Sequence, residues 1–199
     1  QEKADALATS FDTKAFYHIN DLFAELKNID ITSVCTPNGL HSEHSLFALK
    51  AGSHVLCEKP MSISSETAKK MMQAADANKK KLFVVKSTRY NPALVELKKI
   101  ISENKLGQLF SFQLNCFWNR PAAYYTNSWR GTVDLDGGTL FTQFSHYVDA
   151  MLWLFGDLKS VCGYRKNLLH SDSVEFEDCG SASLEMENGM IGGLNWSVN

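Results

Sequence analysis

Three short apolar runs, residues 31–36, 53–57 and 82–85, are separated by stretches with helical spacing. Several of them read apolar on both faces, and such strands need cover on both sides. Strands that alternate with helices predict a parallel sheet joined by crossovers. The helices between them are marked at their ends. Residues 20–28, opened by Asn20 and Asp21, form a short amphipathic helix with Leu22, Phe23 and Leu26 inward. Residues 41–51 form another, stopped by Gly52. Residues 64–78 form a longer helix with Ala68, Met71, Met72 and Ala75 on one face. Lys79, Lys80 and Lys81 follow it, where cations suit the helix dipole. Residues 1–10 read as the tail of a further helix.

The rhythm changes after residue 88. Residues 91–107 make a helix with an Asn cap, Pro in its first turn and Gly at its end. Residues 108–118 alternate like a long strand, with Leu109, Phe112, Leu114 and Cys116 as candidates for burial. Residues 120–136 form a long polar and aromatic loop, of a length that usually has a function. Residues 139–155 read as one apolar helix ended by Gly156. Strand-like runs follow, and Glu187-Asn188-Gly189 marks a hairpin between 182–186 and 190–196. A helix followed by meandering strands predicts a second, α+β domain.

The chain's 199 residues suffice for one large domain or two small ones. A net charge of −2 supplies no bulk attraction to nucleic acid or an anionic membrane. No apolar run approaches the roughly 20 residues of a spanning helix, and no signal-peptide pattern opens the chain. Cys35, Cys57, Cys116, Cys162 and Cys179 are scattered, with no CxxC. Their odd number implies reduced thiols in a cytoplasmic protein, and finger-like metal spacing is lacking.

Three stretches carry the chemistry. In "SHVLCEKPMS" (53–62) an apolar strand stops at Glu58-Lys59-Pro60. Ligands of open parallel sheets bind beyond the carboxyl ends of the strands, and Lys59 sits just past one. The neighbouring strand ends in Thr36-Pro37-Asn38, after which a helix begins near His41 with free N–H groups. A surface Lys-Pro turn is the plainer alternative. In "DGGTLFTQFSHYVDAMLWLFG" (136–156), Thr142, His146 and Asp149 fall at i, i+4, i+7 and would share one helix face, with Gln143 beside them. Polar groups on an apolar helix must bond one another or a ligand; a core histidine satisfied by Asp149 is the alternative. The loop "NRPAAYYTNSWRG" (119–131) offers Arg120, Tyr124, Tyr125, Trp129 and Arg130. Arginine forks suit phosphate or carboxylate, and aromatic rings suit sugar or nicotinamide faces. Such aromatics can also merely pin a loop.

Together these stretches resemble the glucose–fructose oxidoreductase/inositol dehydrogenase/MocA (Gfo/Idh/MocA) family. "TPNGLHSEHSLFALKAGSHVLCEKPMS" (36–62), "RYNP" (89–92), "SWRG" (128–131) and "DGGTLFTQFSHYVD" (136–149) follow in that family's order. The resemblance implies an α/β protein: a Rossmann-like parallel sheet in residues 1–88, then an α+β substrate and oligomerisation domain with an open, largely antiparallel sheet in 89–199. It implies NAD- or NADP-dependent oxidation of a sugar-type carbinol in a homo-oligomer, dimer or tetramer, with no metal. Lys59 and His146 take the catalytic positions. Thr36, Pro37, Asn38, His41, Glu58, Lys59, Trp129 and Arg130 take cofactor-binding ones. Arg120, Tyr124, Thr142, Gln143, His146 and Asp149 line the substrate side. Inositol-specific members usually have Asp four residues before the histidine. Thr142 and Gln143 here resemble members that oxidise nucleotide-linked N-acetylated sugar acids at C3.

The sequence departs from the family at its start. No GxGxxG is present, and residues 1–10 resemble the helix that follows the family's second strand. An internal fragment is therefore expected, with the choice of NAD or NADP lying outside it. A dinucleotide- or sugar-sensing regulator is the rival on the same fold, although it would need no proton-transfer pair. A Schiff-base enzyme using Lys59 is a third reading.

Overall fold

A computed structural model describes residues 1–199. Helices α1 (Glu2–Ser10) and α2 (Ile19–Glu25) precede strand β1 (Ile31–Val34). Helix α3 (His41–Lys50), β2 (His54–Cys57), α4 (Ser65–Ala77) and β3 (Leu82–Val84) complete the first half. The three strands form a parallel sheet in the order β1-β2-β3. Helices α3 and α4 pack on it, enclosing Val34, Ala48, Leu49, Val55, Cys57, Met71 and Ala75. The Ser64 hydroxyl caps α4 by accepting from the Thr67 N–H.

Two expectations change here. The strands are covered on one face only: Ile31, Leu56 and Phe83 share the other face and are 62%, 39% and 53% exposed. Met72 points to solvent, because the inward stripe of α4 is narrow enough for Met71 and Ala75 alone to be fully buried. Leu26 is also exposed, since α2 ends at Glu25.

The second half begins with α5 (Pro92–Ser102), capped by the Asn91 side chain. Strand β4 (Ser111–Phe117) follows, then the loop, α6 (Thr139–Thr142), α7 (Ser145–Phe155), β5 (Leu158–Lys166), β6 (Cys179–Met186) and β7 (Ile191–Ser197). The sheet order is β4-β7-β6-β5, antiparallel except for the β4–β7 pair. The β6–β7 hairpin turns at Gly189, whose φ of 84° suits a residue without a Cβ. Phe144, Met151, Cys116, Leu184, Leu194, Trp196 and Val198 form the core against this sheet. No helix is long and apolar enough to cross a membrane.

The expected single helix over 139–155 is two. Phe144 is fully buried, 5.2 Å from the Trp118 ring, and its N–H bonds back five residues to the Thr139 carbonyl at 3.1 Å. The Thr142 hydroxyl is meanwhile engaged by Asp136. These two anchors pull in different directions and break the helix at Gln143-Phe144. Thr142 therefore lies on a different helix from His146 and Asp149.

The two halves meet through backbone. Gly39 N–H donates to the Leu135 carbonyl at 2.9 Å. A Cβ at Gly39 would lie 2.0 Å from the Asp134 carbonyl oxygen, a main-chain atom with little freedom to yield. Gly39→Ala is expected to cost about 1–3 kcal/mol, the usual range for overpacking. Thermal or denaturant unfolding checks this, and an unchanged midpoint would show that the halves do not rest on that contact.

Candidate active site

The carboxyl ends of β1 and β2 build one wall. After β1, Thr36-Pro37 leads into a single 3₁₀ turn, Asn38–Leu40, that runs directly into α3. His41, only 1% exposed, joins the two strand ends. Its Nδ1 lies 2.7 Å from the Pro60 carbonyl and its Nε2 2.8 Å from the Thr36 carbonyl. Pro60 follows a cis peptide bond after Lys59. Asn38 is buried, and its amide donates to the Asp136 carbonyl at 3.0 Å and to Thr142 Oγ1 at 3.1 Å. Asn38 and His41 thus shape the turn, with these polar groups spent on the protein. Thr36 Oγ1 lies 3.2 Å from His44 Nδ1.

Lys59 projects from this wall toward α6. Its Nζ donates to the Thr142 carbonyl at 2.6 Å, and its backbone N–H donates to Glu58 Oε2 at 3.1 Å. Burial holds its pKa below the ordinary lysine value, against the opposing pull of Glu58 and Asp136. The Lys86 and Arg120 cations act in the same direction as burial.

The loop after β4 supplies the opposite wall. Arg120 Nε donates to Gln143 Oε1 at 2.7 Å, and Gln143 Nε2 donates to the Tyr125 hydroxyl at 3.1 Å. The Arg120 guanidinium lies 4.9 Å from the Trp118 ring and 4.8 Å from the Tyr124 ring. Arg130 lies 4.7 Å from Tyr124 and 5.3 Å from Trp129, with one hydrogen bond to Ser128 Oγ at 3.3 Å. Such contacts hold a guanidinium without consuming its N–H donors. Thr142 and Gln143, expected on the substrate side from their position before the histidine, are both buried with their side chains bonded inside the protein. They frame the crevice through Lys59 and Arg120.

His146 lines an open cleft of about 530 Å³ together with Tyr147, Trp118, Ser87 and Tyr90. Its Nδ1 is buried and has no hydrogen-bond partner. Burial pushes its pKa down, and the Lys59 and Lys86 cations push the same way. Asp149 does not satisfy it. Its carboxylate is gripped by an Arg89 fork, at 2.7 and 2.8 Å, with Lys86 at 3.8 Å. Asp149 therefore ties α7 to the segment between the two halves, and its expected place on the substrate side is taken up by that ion pair. A larger cavity, about 730 Å³, lies against the edge strand β1 and shares only Thr36 with the residues singled out. Lys59 and His146 both lie outside it.

The sequence gives no sign of Lys86 or His170, and it marks Arg89 and Asp136 only as the first residues of two motifs, without their roles. Buried His170 places Nε2 2.8 Å from the Arg120 carbonyl, and Asp178 accepts three N–H groups from residues 168–170. Asp136 stands at the head of a motif already singled out, but its glycine neighbours gave the stronger signal. Among these side chains no group of three or more His, Cys, Asp and Glu could hold a metal ion.

The residues present fit a nicotinamide dinucleotide. Lys59 Nζ has one protein partner and keeps two N–H donors, and Arg130 keeps most of its fork. Comparison with known proteins agrees. Residues 1–86 match an oxidoreductase family with an NAD-binding Rossmann fold, and residues 94–199 match the GFO/IDH/MocA C-terminal domain. The chain is 37% identical to the WlbA dehydrogenase of Chromobacterium violaceum, solved in complex with NADH and UDP-GlcNAcA. That superposition has a TM-score of 0.93 and covers 98% of this chain and 56% of the other. The Bordetella pertussis WlbA dehydrogenase, in complex with the same pair, is 36% identical with a TM-score of 0.94, covering 99% and 56%. Scyllo-inositol 2-dehydrogenase (NADP(+)) IolW of Bacillus subtilis is 35% identical over 67% of this chain and 37% of its own length. The chain spans about half the length of these relatives, or less.

Lys59 is expected to react with amine-specific reagents at lower pH than the exposed lysines, and the His146 ring to titrate below an exposed histidine. Peptide mapping of labelling against pH and imidazole NMR measure these. Ordinary midpoints for both would mean that the crevice is open to bulk water.

Proposed function

The chain belongs to the Gfo/Idh/MocA oxidoreductase family, and from that premise we propose that it is part of a nicotinamide-dependent dehydrogenase acting on a sugar-type carbinol. Residues 1–88 would contribute to the dinucleotide-binding domain and 89–199 to the substrate domain. The observation that supports this reading is that the Lys59 cation acts on the His146 ring, and that burial lowers the pKa of both groups. Lowered values favour the neutral, proton-accepting form of each group relative to its solvent-exposed counterpart. A sensor of dinucleotide would have no use for it.

When bound, the nicotinamide supplies the hydride acceptor. The chain does the rest. Lys59 and His146 form the proton-transfer pair: one accepts the hydroxyl proton as the carbinol C–H hydride leaves, and the other donates a hydrogen bond to the oxygen on which charge develops. Glu58, Thr36 and Pro37 border the cofactor side, and Trp129 and Arg130 close over it.

The substrate we propose carries negative charge, most simply a nucleotide-linked sugar acid. Support comes from Arg120 and Arg130, whose guanidinium groups share the Tyr124 ring and keep donors for a carboxylate or phosphate. The pocket side of α6 brings no free carboxylate to repel it, since Thr142 and Gln143 stand there. We also propose a cytoplasmic homo-oligomer, dimer or tetramer; light scattering on the full-length protein that gave a monomer would remove the oligomer.

In the full-length protein Lys59→Ala is expected to lower turnover about a hundred- to ten-thousand-fold with the fold intact. Near-normal turnover would take Lys59 out of the chemistry. A substrate panel of neutral sugars, inositols and nucleotide-linked sugar acids, each with NAD and NADP, tests the specificity. Efficient oxidation of a neutral sugar or inositol, unaffected by Arg120→Ala, would reject the anionic substrate and leave the dehydrogenase standing.

A further inference from the structure

Asp136 is a buried acid to which the proposed chemistry gives no role. It is 1% exposed, and three segments converge on it. From the loop, Gly131 N–H donates to Oδ2 at 2.8 Å, directly after Arg130. From α6, the Thr142 hydroxyl hydrogen-bonds to Oδ1 and lies 2.9 Å from the Asp136 carbonyl oxygen. From the turn after β1, the Asn38 amide reaches that same carbonyl at 3.0 Å. The carbonyl of Thr142, the residue so held, is the one that receives Lys59 Nζ at 2.6 Å.

We propose that Asp136 is a positioning residue: a buried carboxylate that binds the β1 turn, the Arg130 loop and the Lys59 carbonyl rest into one unit and sets a negative charge behind the Lys59 ammonium. The proposal rests on the reading of Lys59 as a proton-transfer group.

Hydrogen bonding alone does not call for a carboxylate here. An amide would accept from Gly131 N–H with its oxygen and donate to the Thr142 hydroxyl with its nitrogen, giving up only the long 3.5 Å approach of the Asn38 amide to Oδ1. An acid also costs more to bury than an amide, and burial does push the Asp136 pKa up. What an amide lacks is charge, and the surroundings are cationic. Lys59 and Arg130 act on Asp136 and favour its ionised form, as do the bonds from Thr142 and Gly131. Around Lys59 itself stand Lys86 and Arg120, with Glu58 and Asp136 as the anions that act on it. His146 is a further titrating group beside Lys59, and Asp149, the remaining nearby carboxylate, is taken by Arg89. Two anions therefore oppose burial and two cations at Lys59, and of the two only Asp136 is also bonded, through the Thr142 hydroxyl, to the residue whose carbonyl receives Lys59.

The direction of the effect separates a charge from a mere strut. Asp136 holds the Lys59 proton on, so Asp136→Asn moves the Lys59 midpoint further down. If Asp136 were only structural, its loss would loosen the crevice, admit water and move that midpoint up toward an exposed lysine. The measurement is the pH dependence of Lys59 labelling by an amine-specific reagent, read by peptide mapping on the full-length protein. A downward shift with a folded circular dichroism spectrum is the expected result; an unmoved or upward midpoint overturns the proposal. Should Asp136→Asn fail to fold, the reciprocal experiment leaves position 136 alone. Coupling between two sites is mutual, so Lys59→Met is expected to raise the titration midpoint of the Asp136 carboxyl followed by ¹³C NMR. A midpoint that stays put overturns the proposal equally. Neither readout needs turnover, so absence of dehydrogenase activity would strike the proposed function and leave these shifts to decide Asp136 separately.

Discussion

The 2.6 Å hydrogen bond from Lys59 Nζ to the Thr142 carbonyl crosses between the two halves of the molecule. Much of the crevice depends on it. A lysine side chain left in solvent loses rotamer entropy of up to about 2 kcal/mol when fixed, so one hydrogen bond would hold it poorly. Here the acceptor is itself fixed. The Thr142 hydroxyl is bonded to Asp136, Asn38 reaches both residues, and Gly39 locks the adjoining turn to Leu135. The lysine is positioned because the carbonyl it meets has nowhere to go.

The same logic explains the break in the expected helix over 139–155. A continuous helix would carry Thr142 and His146 on one stripe, both aimed at one place. The break at Gln143-Phe144 lets them do different work. Thr142 and Gln143 turn inward and become framework, whereas His146, in the first turn of the new helix, lines the open cleft while its Nδ1 stays buried and unpartnered. Phe144, sunk into the core beside Trp118, is the pin between the two directions.

The alternation of runs and helices up to residue 85 was enough to read the parallel sheet, because strand identity there rests on local β-branched and apolar content. The β6–β7 hairpin was legible from Glu187-Asn188-Gly189 for a similar reason: the turn needs a residue that tolerates φ of 84°. Lys59 was legible because a charge and a proline interrupt an apolar strand. What stayed hidden was set by distant partners. Nothing near Asp149 says that Arg89, 60 positions away, takes its carboxylate. Nothing near Phe144 says that it lies against Trp118. Likewise the one-sided cover of β1–β3 depends on which segments pack there, and periodicity carries no record of that.

Charge placement in the loop adds a last step. Arg120 and Arg130 would repel each other, and the usual remedy is a carboxylate between them. The chain uses Tyr124 instead, with the two guanidinium groups 4.8 and 4.7 Å from its ring. A cation over an aromatic ring gains about 0.5–2 kcal/mol depending on exposure. That offsets part of the repulsion, and it leaves N–H donors uncommitted, as a bidentate carboxylate would not. His170 reinforces the arrangement from beneath, with Nε2 2.8 Å from the Arg120 carbonyl and its ring 5.3 Å from Tyr125. Arg120 is then divided by function: its backbone is anchored through His170, its Nε is spent on Gln143, and its terminal nitrogens make no hydrogen bond to the chain. Arg120 is held by two rings and the Gln143 side-chain oxygen, and Arg130 by two rings and the Ser128 hydroxyl, so no carboxylate of the chain forms an ion pair with either guanidinium.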